Sequence, residues 1–244
     1  VYIRIEMGVF SMKKIIAIVT VLMTVFISNS FAKVDDNTLL YLSFDEGKGK
    51  LASDASKYKN DGMLLGAKWV DGKSGSAIGL DKIDSVVEIA NTGIFDFGSD
   101  TDFTIEFWLK VDPSSHPRWY NVFSTGGTNT NTTNPGAIIG LSNSFKVCVR
   151  FSDGNNRVDL ISRKSWLNDG MWHHIAVVAN RKGDSILFID QKEEAKDNIS
   201  GIGSIDNISF PLQLGGKSHI EGDFNICIDE LKISNSIRLI KPSR

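Results

Sequence analysis

The chain has 244 residues, with 27 Lys and Arg against 29 Asp and Glu, 22 glycines, 5 prolines and 2 cysteines. The near-neutral balance excludes the electrostatic footprint of a nucleic-acid binder, and 41% hydrophobic content spread along the chain excludes a disordered one. The length suits one large all-β domain, because sandwiches and barrels of this size often close around a single core.

In chain order, Met12-Lys13-Lys14 comes before an apolar run over 15–27 and then Ser28-Asn29-Ser30-Phe31-Ala32. A charged start, an apolar run and a small-x-small close make a signal peptide. The run is shorter than the roughly 18–20 apolar residues of a spanning helix, and Thr20 and Thr24 interrupt it. Residues 1–32 are therefore expected to be an upstream extension and signal peptide, and residues 33–244 one domain. The product is expected to be secreted, extracellular or periplasmic, with no membrane insertion after cleavage. What remains carries 24 basic and 28 acidic side chains. Nucleic acid is therefore not an expected partner, and no basic stripe for a membrane surface is present.

From residue 38 onward, short apolar runs alternate with Asp/Asn/Gly turns, and no run keeps a helical period. That is the pattern of an antiparallel sandwich. Strands are predicted at 38–44, 62–67, 76–80, 86–90, 103–111, 145–151, 172–179, 185–190, 212–214 and 226–233. The clearest is 103–111: its odd positions are apolar and its even positions mostly polar, apart from Trp108. The 172–179 run is apolar on both faces except for His173 and His174, which predicts a central strand. Residues 125–135 are polar and rich in turn formers. They read as a long loop that either carries function or is a tolerated insertion. Cys148 and Cys227 both fall in strand-like runs; they pair after export or stay as buried thiols.

Several segments resemble the laminin G-like domains of the concanavalin A-like lectin/glucanase superfamily. They are Leu42-Ser-Phe44-Asp45-Glu46-Gly47, Asn60-Asp61-Gly62, Gly75-Ser-Ala77-Ile-Gly-Leu80-Asp81 with Val86-Val87-Glu88-Ile89, Phe103-Thr104-Ile105-Glu106-Phe107-Trp108, Trp172-His173-His174 and Ile228-Asp229-Glu230-Leu231. They stand in the family's order from about 39 to 234. The resemblance implies an all-β, two-sheet antiparallel jelly-roll sandwich. It also implies a calcium ion where the first and last strands meet, held by Asp45, Asn60, Asp61 and Asp229. The alternative is that Asn60-Asp61-Gly62 is only a turn and Asp229 caps a loop. Two departures stand out: Asp190-Gln191 replaces the family's Asp-Gly, and Ile226-Cys227 replaces a Gly-aromatic pair.

The fold hosts both glycan hydrolases and sugar-binding modules, so the question is whether catalytic acids are present. Such hydrolases use two carboxylates close together on one strand face. No Glu/Asp row at i, i+2 and i+4 exists, and the adjacent pairs Glu193-Glu194 and Asp229-Glu230 point to opposite faces. His173 and His174 are neighbours on a strand and cannot chelate one metal from one face. No catalytic residue is assigned.

A sugar site needs an exposed aromatic platform beside polar groups, because a pyranose has an apolar face and a polar rim. Trp166 and Trp172 read as core. His116-Pro117-Arg118-Trp119-Tyr120 reads as a polar connection with adjacent aromatics, which makes Arg118, Trp119 and Tyr120 the candidate ligand residues. Asn155, Asn156 and Arg157 form a second polar turn that can line a groove. The expected function is a secreted, non-catalytic carbohydrate-binding module for a glycan or cell-surface polysaccharide, supported by calcium. The alternatives are a structural or adhesive protein whose partner is another protein, and a divergent glycoside hydrolase or lyase using groups such as Glu106.

Overall fold

The computed structural model describes residues 34–82, 84–116, 119–126, 134–216, 224–238 and 240. The predicted signal peptide and Arg118 lie outside the described residues, as does most of the long loop. No helix occurs among the described residues. The strands are β1 (Thr38–Leu42), β2 (Leu51–Ala52), β3 (Gly62–Leu65), β4 (Lys68–Asp71), β5 (Ser76–Leu80), β6 (Val86–Ile89), β7 (Phe103–Val111) and β8 (Trp119–Ser124). They continue as β9 (Gly136–Ser142), β10 (Val147–Ser152), β11 (Arg157–Ile161), β12 (Trp172–Ala179), β13 (Asp184–Ile189), β14 (Lys192–Asn198), β15 (Leu212–Gly215) and β16 (Ile226–Ser234).

Two sheets form, and every strand pairing in them is antiparallel. The first runs β14-β13-β12-β7-β16-β5-β4, with β1 also pairing to β16; the second runs β11-β10-β9-β8-β15-β6-β3-β2. Non-sequential neighbours such as β7 and β16 are consistent with a jelly-roll sandwich. Alternation fills the space between the sheets. Phe103, Ile105, Phe107, Leu109 and Val111 of β7 are buried, and they join one apolar cluster with Val147, Val149 and Phe151 of β10.

The predicted strands appear close to their expected positions, and β12 lies between β13 and β7. Sequence reading missed β2, β4, β8, β9, β11 and β14. At β8 the correction matters: Trp119 and Tyr120 begin a strand and not a polar connection. Asn121 and Ser124 share its outer side with Trp119, and that polar side hid an inward row of apolar residues. The β13–β14 hairpin closes on Asp190 and Gln191 at φ 50° and 65°. Both residues of this two-residue turn occupy the left-handed region without glycine. Asp190 helps to hold it by accepting the His174 N–H at 3.1 Å. Cys148 and Cys227 lie in different sheets and both are free.

Candidate binding site

β8, β9, β10 and β11 lie side by side in the second sheet. Asn121 pairs with Gly140, Gly140 with Cys148, and Arg150 with Asp159. Because strand side chains alternate, Tyr120, Leu141, Val149 and Leu160 enter the core, while Trp119, Asn121, Gly140, Arg150 and Asp159 face outward.

Trp119 is half-buried, and its indole N–H donates to Asn121 Oδ1 at 2.8 Å. Its ring lies on Gly140, where an added Cβ would stand only 3.0 Å from the ring. The Arg150 guanidinium sits 5.4 Å from the ring centroid, within cation–π reach. Asp159 holds that guanidinium in a forked pair, Nε to Oδ1 at 2.9 Å and Nη2 to Oδ2 at 3.2 Å. Arg157 reaches the same carboxylate at 2.9 Å. Further across the sheet, Gln213 donates to Glu88 at 2.7 Å. A part-exposed indole with a guanidinium over its ring and a carboxylate holding that guanidinium combines the apolar and polar chemistry that a sugar ring asks for, while the Asn121 amide is buried beside it.

Of the predicted ligand residues, Trp119 and Arg157 are brought into one row, joined through Arg150 and Asp159. Tyr120 is not a surface residue: it is 2% exposed and its ring stacks on Phe224 with centroids 3.5 Å apart. Burial pushes its hydroxyl pKa far above the ordinary value. Adjacent strand residues must face opposite ways, so Trp119 and Tyr120 cannot both line one surface. Asn155 is exposed in the β10–β11 turn, at the end of the strands opposite Trp119, and its N–H donates to Asp153. Arg150, Asp159 and Asn121 were missed. The alternation over 145–151 already placed Arg150 on the polar side, but nothing local identified Asp159 or Asn121 as its neighbours.

The expected calcium ligands divide into two groups by their hydrogen bonds. Asn60 and Asp61 bond around Asp54: the Asn60 N–H donates to Asp54 Oδ2 at 2.9 Å, and Asp61 Oδ1 accepts the Asp54 N–H at 2.9 Å. Asp229 instead accepts the N–H groups of Lys73, Ser74 and Glu230 at 2.8, 3.1 and 2.8 Å. Asp45 accepts the N–H of Ser76 at 3.3 Å. Among the described residues, no group of three or more His, Cys, Asp or Glu is arranged to hold a metal. Asp229 is fully buried, and desolvation pushes its pKa up to about 6 against the hydrogen bonds that oppose the shift.

Asp229 belongs to the outer face of the first sheet. A bulge in β16 between Asp229 and Lys232, with Glu230 at φ 54°, turns both side chains to that face. Glu106 stands there too, held by Arg238 at 3.0 Å and approached by His174 at 3.7 Å. Burial draws the His174 pKa below the usual imidazole range despite Glu106. The Lys73 ammonium lies 4.7 Å from the Trp108 ring centroid. His173 is buried beside the β11–β12 loop, with Nδ1 2.9 Å from Asp190 and Nε2 3.1 Å from Asp169. Lys164 completes the group, 2.8 Å from Asp190. His173 is thus tied to carboxylates on both ring nitrogens.

These features define a class, an all-β sandwich with a preformed polar–aromatic face. The laminin G family model described as the concanavalin A-like lectin/glucanases superfamily matches residues 81–239, and the chain belongs to that family. It is also similar to botulinum neurotoxin type X of Clostridium botulinum, 26% identical over 174 residues, which cover 70% of this chain and 13% of the toxin. Similarity to botulinum neurotoxin type F of the same species is 23% over 208 residues, covering 78% of this chain and 16% of the toxin. Among solved structures, the binding domain of Paraclostridial Mosquitocidal Protein 1 superposes with a TM-score of 0.70 at 22% identity, over 84% of this chain and 50% of that one. The binding domain of botulinum neurotoxin DC in complex with SialylT gives 0.64 at 16% identity, over 83% and 49%. The chain thus spans about half of those binding domains and under a fifth of the whole toxins.

Proposed function

We propose that this protein is a secreted, non-catalytic glycan-binding module whose ligand lies on the outer face of the second sheet. The observation that carries the reading is the seat of Trp119, an indole packed against Gly140 with the Arg150 guanidinium over its ring and Asp159 holding that guanidinium. The ring is fixed before a ligand arrives, which lowers the ordering cost of binding. Membership of a lectin-containing family and the likeness to toxin binding domains, one of them in complex with SialylT, support the reading. A binding role is also favoured by Glu106 being held by Arg238 and His174, so that it is not an open acid.

A glycan array probed with the wild-type protein and Trp119→Ala tests the proposal. Wild type retains one class of glycan, and the variant weakens that retention by roughly tenfold or more when both are assayed below the variant's own unfolding transition. No retention of any glycan by wild type, or release of reducing ends from a retained polysaccharide, overturns it.

A further inference from the structure

Trp166, expected in the core, is 66% exposed. Its backbone has φ 62°, a region that bulky residues rarely enter and that costs energy to hold. The surroundings hold it there. Its N–H donates to the Ser144 carbonyl at 3.0 Å, and its neighbour Leu167 is 1% exposed and anchors the loop in the core. The rest of the β11–β12 loop is tied down as well. Lys164 N–H donates to Glu194 at 2.7 Å, Met171 N–H to Asp169 at 2.9 Å, and Asp169 meets buried His173. Met171, 63% exposed, gives the same loop a second apolar side chain. A strained backbone inside a clamped loop therefore presents an indole to solvent.

The position of this indole connects it to the first site. The Cα partner of Trp119 is Ser142. Ser142 opens the tight β9–β10 turn, in which Phe145 N–H returns to the Ser142 carbonyl at 2.9 Å. Ser144, the residue bonded to Trp166, lies in that turn, and the Ser142 and Ser144 hydroxyls are 3.2 Å apart. One antiparallel step and one tight turn thus separate the two tryptophans, on the order of 10 Å of backbone-to-backbone distance. That exceeds one sugar ring and falls within a short oligosaccharide. The Phe145 ring lies 6.4 Å from that of Trp166, tilted to it by 42°.

We infer that Trp166 is a second stacking platform of the same site, so that the protein recognises an extended oligosaccharide chain and not a single sugar. Trp119 seats one ring, the serines of the β9–β10 turn face the linkage region, and Trp166 seats a ring further along. The inference rests on the glycan-binding reading above.

Calorimetric titration with β-1,4-glucose and N-acetyllactosamine oligomers, each from monosaccharide to hexasaccharide, separates the two ideas. For a series that binds, wild-type affinity rises with chain length. Trp166→Ala removes most of that rise, weakening the hexasaccharide roughly tenfold while monosaccharide affinity stays within about twofold. Trp119→Ala loses every length, and Trp166→Tyr retains the length dependence because a stacking ring remains. An exposed side chain leaves the melting temperature of Trp166→Ala unchanged, which excludes misfolding as the cause. If Trp166→Ala matches wild type at every length, the second platform is wrong while the Trp119 site stands. If no oligomer of either series binds wild type, both fall for these sugars. If Trp166→Ala instead loses only binding to phosphatidylcholine–phosphatidylglycerol vesicles, the loop is a lipid contact and the inference is overturned.

Discussion

The outer faces of the two sheets are built from the same strand alternation and end in opposite states. On the first sheet, Asp229, Lys232 and Tyr41 are 0%, 1% and 2% exposed, although all three point away from the core. The 73–76 turn donates to Asp229 and Asp45, and Arg238, beyond β16, reaches Glu106. On the second sheet, Trp119, Arg150 and Asp159 stay half-buried above a glycine-bearing β9. Polar residues on the first sheet's outer face are covered by other segments and bind backbone, whereas on the second sheet Arg150 and Asp159 bind each other across neighbouring strands.

The sharpest way to break this contrast is Asp229→Ala. It orphans the three backbone N–H groups that Asp229 now satisfies, at a cost of about 3 kcal/mol, or roughly a 10 °C fall in melting temperature. Glycan retention measured below the new transition is expected to be unchanged. Lost retention with unchanged stability would reverse the roles assigned to the two faces.

A smaller effect follows from the Asp229 proton. The folded protein releases it near pH 6, against an ordinary value of 3.8. Between about pH 4 and 6 the folded state therefore binds more protons than the unfolded chain, and this residue's contribution to stability falls as pH rises through that window. Denaturant melts across the window are expected to show wild type losing on the order of 2 kcal/mol relative to Asp229→Asn. Parallel pH profiles for the two proteins would remove Asp229 as the cause.

The smallest change is Gly140→Ala on the open face. Its methyl would meet the Trp119 ring at 3.0 Å and the Tyr120 carbonyl at 2.8 Å, tilting the platform. A loss of affinity of about 1 kcal/mol is expected in the same calorimetric titration, measured below the variant's own unfolding transition because the backbone contact also lowers stability. Wild-type affinity in Gly140→Ala would mean that the platform does not depend on the glycine.

The sequence by itself determined the fold class, because a period of two with turn residues between runs is a local signal that β7 and β10 carry without help. It also identified Trp119 and Arg157 as candidates. It could not separate Trp119 from Tyr120, because the face of a strand that opens with no clear alternation is set by its partners: pairing with β9 sends Tyr120 inward. Trp166 was lost for a related reason. A large aromatic between apolar runs reads as core, and only the hydrogen bond to Ser144 and the buried Leu167 hold its backbone in the conformation that turns the ring outward. Asp54, at the centre of the turn credited to Asn60 and Asp61, and Asp159, the partner of Arg150, carry no pattern of their own. Their roles arise from pairings between distant or looped segments, which only the tertiary structure decides, because a hydrogen bond depends on distance in space and not on spacing along the chain.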